Sequence, residues 1–312
     1  MKEYIQKASK TFNKNKGLLL TLSLALGIIF GVSFFVGMIS GTIVILLFLI
    51  LPFIISIYAI AMKLGDNREV VNKDLYFGFK NFLMSLSLAT KILVKAVLLG
   101  ILVWFVISSI GYSMIMIVLE NQGHPIFDII NSGDMQAMME AMYELITTNP
   151  MFLVVNYVAI LTSLIVSFNI FVKRSFTPFI CFETTFTLDS AKKLSKNLKS
   201  RGYRLMNNLF LVLYIVLIII LELLSTLLYN INVNFMLMYF IVVVVIFILM
   251  TPLFFINVLA NYYYYDKNHR ENIKKIYKEY LNVAMRTTQS KLIDDELKNN
   301  SDNHSNDNKK DE

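Results

Sequence analysis

Glu222 stands in the run VLIIILELLSTLL and is the one acidic residue that falls inside an apolar span of the chain. Seven residues separate it from Tyr229, about 10 Å of helical rise. A carboxylate at that depth is costly against hydrocarbon, so it is expected to face other helices. Two chemistries suit it. It can form a proton or cation site, or the polar contact of a substrate cavity. It can equally be a protonated or hydrogen-bonded carboxyl that ties its span to a neighbour. Asn156, Asn169 and Asn257 are the asparagines within apolar spans, each able to bond across helices. Pro252, in ILMTPLFFINVL, is expected to kink its helix. With Thr251 and Asn257 beside it, such a kink can open a cavity, although kinked spans also occur in plain scaffolds.

Met135, Met138, Met139 and Met142 stand at i, i+3, i+4 and i+7, on one helical face, with His124 in the same loop. Thioethers suit Cu(I), but an apolar stripe packed on the membrane or the bundle explains the spacing equally well. Elsewhere the sequence is poor in reactive groups. It holds one cysteine, Cys181, and three histidines, His124, His269 and His304. That excludes an internal disulfide and cysteine-rich metal sites, and it starves histidine-based metal chemistry. No phosphate-binding Gly-Lys-Ser/Thr loop, HExxH or GxSxG pattern is present. The sequence therefore predicts no catalytic residues, no cofactor and no metal, and points to no nucleic-acid partner.

The remaining candidates are basic. The segment TLDSAKKLSKNLKSRGYR (187–204) reads as an amphipathic helix capped by Asp189 or Ser190 and ended by Gly202. Ala191, Leu194, Leu198 and Leu205 fall near one face. The other carries Lys192, Lys193, Lys196, Lys199, Arg201 and Arg204, placed to meet anionic lipid headgroups.

The elements that must position these residues are membrane spans. The chain of 312 residues is 56% hydrophobic and 16% charged, with mean hydropathy +0.60, against about 25% charged in soluble domains. The apolar residues gather in runs that match a bilayer core of about 30 Å. Six spans result, at about 17–38, 42–62, 92–119, 151–172, 209–229 and 235–259. The first follows a basic segment with no small-residue cleavage site, and so reads as a retained anchor. The fold class expected is all-α, an integral membrane bundle over 1–265 with basic interfacial helices and an outer loop at 120–150. An amphipathic helix at 266–297 follows, with Ile273, Ile276, Tyr277, Tyr280 and Ala284 on one stripe. A disordered polar tail at 298–312 ends the chain. The run Tyr262–Tyr265 reads as an interfacial aromatic belt at the headgroup level.

Orientation follows from charge. All 29 Lys and Arg fall in four segments: the N-terminus, 63–95, 173–204 and the stretch after 262. The three alternate loops have none, and 120–150 carries Glu120, Asp128, Asp134, Glu140 and Glu144 instead. Positive residues stay on the cytoplasmic side, which predicts a multi-pass plasma-membrane protein with both termini in the cytoplasm.

Three segments carry a family resemblance: KDLYFGFKNF (73–82), the stretch SFTPFICFETTFTLDSAKKLSKNLKSRGYRLMNNLF (175–210), and the Pro-containing last span ending in ANYYYYDK. Together they resemble a group of uncharacterised bacterial polytopic membrane proteins, a domain of unknown function. That group is distantly akin to the membrane domain of glycerophosphodiester phosphodiesterases. The resemblance implies an all-helical membrane fold and supplies no catalytic residue. The long Met-bearing loop departs from the short outer loops of that group. The sequence thus favours a non-enzymatic scaffold or accessory component that meets membrane lipids and membrane protein partners. A small-solute transporter using Glu222 and the kinked last span is the first alternative, and a membrane enzyme on lipid-linked substrates the second.

Overall fold

The protein's structure is a computed structural model. It describes residues 2–17, 19–21, 24, 43–132, 135, 137, 138, 141, 145, 149–198, 200–230 and 235–283, with backbone alone at 43–50, 72, 132, 221–223, 225–230 and parts of 235–247. All regular structure among these residues is helical. The elements are α1 (Lys2–Lys14), α2 (Ile43–Gly65), α3 (Asn72–Leu75), α4 (Phe77–Lys80), α5 (Phe82–Ala89), a π turn (Thr90–Val94), α6 (Lys95–Asn121), α7 (Ile126–Ser132), α8 (Pro150–Val172), α9 (Thr177–Glu183), α10 (Leu188–Asn197), α11 (Arg201–Asn230), α12 (Phe235–Asn268) and α13 (270–283).

Three stretches among the described residues are long and apolar enough to cross a membrane: Phe82–Asn121, Pro150–Glu183 and Arg201–Ile220. The first joins α5, the π turn and α6 into one continuous rod that begins ahead of the expected span at 92–119. A π turn inserts one extra residue per turn, and this one carries Lys91. Residues 25–42, which hold most of the first expected span and the first turn, lie outside the described residues, as do 284–312.

The long elements meet through small residues. On α6, Gly100 lies against Ser163 and Ser167 of α8, and Ser163 Oγ donates to the Gly100 carbonyl at 2.8 Å. Gly111 lies against Val155 about three turns further along. Without Cβ atoms the two backbones approach closely, the usual means of pairing helices where lipid offers no hydrophobic drive. At the far end of this pair, Ile115, Leu119, Ile126, Leu145 and Phe152 form a small cluster of their own.

The main core sits at the opposite, basic end. Tyr58, Phe176, Phe179, Tyr203, Tyr262 and Tyr265 are nearly or wholly inaccessible there. The rings of Tyr262–Tyr265, expected to form an interfacial belt at the headgroup level, are buried in protein. The Phe179 ring lies 5.2 Å from Tyr262 and 5.8 Å from Tyr265, and Tyr203 lies 5.1 Å from Tyr264. The tyrosines bury their rings in protein and place their hydroxyls on partners. Tyr262 donates to Asp66, Tyr265 to Glu183 at 3.0 Å, Tyr263 pairs with Thr11 and Tyr264 with Ser200. Buried tyrosines of this kind fill a core while satisfying the polar tip.

Candidate functional site

All four lysine- and arginine-bearing segments converge on this end. The N-terminal α1 packs along the end of α12. Lys267 Nζ lies 3.2 Å from Glu3, Asn268 donates to the Tyr4 hydroxyl at 3.1 Å, and Lys7 sits 4.1 Å over the Tyr263 ring. From the segment after α2, Asp66 meets Arg270 at the head of α13. Glu183, at the end of α9, lies 2.6 Å from Arg270 Nε, and Asp266 lies 2.8 Å from its Nη1. One guanidinium thus holds three carboxylates. Burial opposes ionisation of Asp66, but bonds from Arg270 and Tyr262 outweigh it and hold the carboxyl below its ordinary range. Burial likewise works against the charge of Arg270, and its carboxylate partners more than reverse the effect. A carboxylate trio closed by an arginine is a structural lock, and no group of metal-ligating side chains is found among the described residues.

Beside the lock lies an open basic cleft. It is bounded by the π turn and the start of α6, by the end of α8, and by α10. A cavity of about 300 Å³ is lined by Lys95, Leu99, Ile170, Lys173, Arg174, Lys192 and Lys196. A second, of about 500 Å³, shares Lys95, Leu99, Arg174 and Lys192 and adds Lys91, Val94, Leu98 and Leu102 among its walls. Local sequence explains the placement. Thr187 caps α10 by accepting from the Ser190 amide at 3.4 Å, which frees Asp189 to pair with Lys91 at 3.2 Å. Ala191 and Ser195 are buried, and Leu194 packs on the core. That seating turns Lys192 and Lys196 to the cleft. Arg174 is buried, with Nη1 donating to the Lys91 carbonyl, so its guanidinium is fixed at the cleft floor.

The sequence-predicted residues divide accordingly. Lys192 and Lys196 line the cleft, whereas Lys193, Arg201 and Arg204 are exposed and line neither cavity. Lys199 lies outside the described residues. The basic helix ends at Asn197, before Gly202. Ser200 accepts from the Tyr203 amide at 3.2 Å and starts α11, so Gly202 belongs to the next helix and Leu205 is 59% exposed rather than on the buried face. Asn257 is buried, accepts from Asn261 at 2.9 Å, and extends the Asn207–Asn261 pair into a ladder. Asn156 accepts weakly from Trp104 at 3.4 Å. Asn169 bonds the Ile165 carbonyl of its own helix. Pro252 lies within the uninterrupted α12. Glu222 lies on α11, with its side chain outside the described residues. Met135 is exposed and Met138 half-buried, while Met139 and Met142 also lie outside them. Cys181 is partly buried against the core.

Sequence reasoning missed Lys91, Lys95, Lys173 and Arg174 as partners of α10, although their positions at helix ends beside the basic helix were visible. No family model, curated protein or solved structure matches the chain.

Proposed function

We propose that the chain is a non-enzymatic integral membrane component of the plasma membrane that engages anionic lipid, and through it partner proteins, with its basic end. The observation that carries this reading is the cleft, where Lys91, Lys95, Lys173, Arg174, Lys192 and Lys196 converge opposite a single acid, Asp189. Juxtamembrane lysines attract the negative leaflet surface, and Lys and Arg together offer both point charges and a fork for phosphate oxygens.

Six spans with both termini cytoplasmic fit the same reading. The packing of α1 against the end of α12 supports an even number of crossings between them. The basic segments around Asp66, Glu183 and Arg270 join them, while the Ile115–Phe152 cluster lies at the other end of α6 and α8.

The test is lipid enrichment. The full-length protein, reconstituted in nanodiscs of mixed phosphatidylcholine and phosphatidylglycerol, is purified and its bound lipid quantified. Enrichment of the anionic lipid over the bulk ratio supports the reading. A bulk ratio at the protein surface overturns it.

A further inference from the structure

We infer that the cleft holds one phospholipid whose headgroup is a phosphomonoester, more highly charged than a phosphodiester, with an acyl chain leaving along α6. The inference rests on the anionic-lipid reading and goes beyond it by assigning a single site, a headgroup charge and a chain path.

The charge argument begins in the smaller cavity. Five of its lining residues are cationic and none is acidic. Among the described residues, none of Lys95, Lys173, Arg174, Lys192 and Lys196 forms an ion pair, while Asp189, on the same helix as Lys192 and Lys196, is taken by Lys91. Like charges gathered around one chamber repel, and a bound counter-charge relieves the repulsion. A phosphodiester sets one negative charge against the five cations. A phosphomonoester brings about −1.5 to −2 at neutral pH, with three acceptor oxygens. The cations are also pre-placed, because α10 is seated by buried Ala191 and Ser195 and Arg174 is anchored on the Lys91 carbonyl. Pre-placement lowers the ordering cost of binding.

The amphiphile argument comes from the second cavity. It opens from the first through shared Lys95, Leu99, Arg174 and Lys192. Its further wall is aliphatic, Leu98 and Leu102 on successive turns of α6, 60% and 58% exposed. These side chains lie on one of the long apolar stretches, so the track points from the charged chamber into hydrocarbon. A free phosphate fills the chamber and leaves the track unused. A phospholipid fills both.

The experiment measures binding of dioleoyl phosphatidic acid, dioleoyl phosphatidylglycerol, dioleoyl phosphatidylcholine and inorganic phosphate to the full-length protein in neutral detergent, by native mass spectrometry. Phosphatidic acid is expected to bind at least roughly tenfold more tightly than phosphatidylglycerol, and Lys95→Gln, Lys192→Gln or Lys196→Gln to weaken it by roughly tenfold each. Lys193→Gln, outside the cleft, is expected to leave binding unchanged. Leu102→Gln is expected to weaken phosphatidic acid and leave inorganic phosphate unaffected. The thermal midpoint of each variant separates lost binding from lost folding. Equal binding of the two lipids, or no effect of the cleft lysines, overturns the site. Inorganic phosphate binding as tightly as the lipid overturns the chain path. If anionic lipid still exceeds phosphatidylcholine in those cases, the broader lipid reading stands without the site. If it does not, both fall.

Discussion

Arg270 at the head of α13 grips Asp66 with two nitrogens, Nη1 to Oδ1 at 2.8 Å and Nη2 to Oδ2 at 3.3 Å, across 204 residues of sequence. The pair is well screened from water, with side-chain exposures of 19% and 11%. Removing the guanidinium leaves Asp66, Asp266 and Glu183 together without their shared cation, the costly way to break a buried ion pair. Arg270→Ala is expected to destabilise the protein by about 3 kcal/mol, read as a lowered thermal midpoint in detergent, and to expose 270–283 to protease. Arg270→Lys is expected to fall between the two, because an ammonium keeps the charge and loses the fork. An unchanged midpoint in Arg270→Ala means the lock contributes nothing.

The same end of the molecule sets a pH response. His269 is partly buried against the Phe176 and Tyr264 rings, at 5.9 and 5.5 Å. Burial lowers its pKa from the ordinary 6.5, although a bond to the Leu198 backbone works the other way. A lowered value in the folded state means the unfolded chain binds the proton more readily. The stability His269 contributes is therefore complete above about pH 6.5 and is lost as the pH falls from there toward its depressed folded value. Asp66 adds a second loss beneath its ordinary 3.8, as the pH drops toward its depressed folded value. Thermal midpoints are expected to fall in two steps on acidification. His269→Phe is expected to abolish the upper step and spare the lower.

The helical class and the long apolar elements were legible in hydropathy and in the distribution of lysine and arginine. The amphipathic stripe after residue 266 was legible too. Ile273 is buried, Tyr277 bonds Thr185 at 2.8 Å, and Tyr280 lies 5.2 Å from Phe186. What composition could not reveal was the destination of amphipathic side chains. A tyrosine suits a headgroup layer and a hydrogen-bonded core equally, and Tyr262–Tyr265 took the second. The cleft was half legible. Lys192 and Lys196 showed on the helical wheel, but their union with Lys91, Lys95, Lys173 and Arg174 depends on how α10 docks beside α6 and α8. That docking is set by buried small residues, Ala191 and Ser195, which carry no charge signal.

Gly78 provides a local test of backbone fit. Its amide donates to Ser56 Oγ at 2.8 Å, and a Cβ there would run into the carbonyl of Pro52. That carbonyl is backbone and cannot rotate aside. Gly78→Ala is expected to push α4 off α2 and cost about 1–3 kcal/mol, seen as a lower midpoint. Gly17→Ala is the control, since nothing lies within 4 Å of the added carbon. Equal midpoints for the two variants would show that α4 yields freely.

The asparagine ladder offers a test of coupling between α11 and α12. Asn207 Nδ2 donates to Asn261 Oδ1 at 3.1 Å, and Asn261 Nδ2 returns a bond to Asn207 Oδ1 at 3.3 Å. Both side chains are fully buried. Replacing one partner strands the other amide, at about 1–3 kcal/mol, whereas replacing both with apolar groups of similar shape removes the stranded group as well. Asn207→Leu and Asn261→Leu are each expected to lower the midpoint, and the double variant to lose less than the two losses combined. The shortfall measures the cross-helix bond, which in membrane proteins averages about 0.6 kcal/mol and reaches about 1.7. Asn257 modulates the result, because its Oδ1 accepts from Asn261 at 2.9 Å and loses that donor in any Asn261 variant. Asn257→Leu in the Asn261→Leu background is therefore expected to be nearly neutral, although the same change in the native chain is not. Strict additivity across the cycle would mean the two helices are held by packing alone.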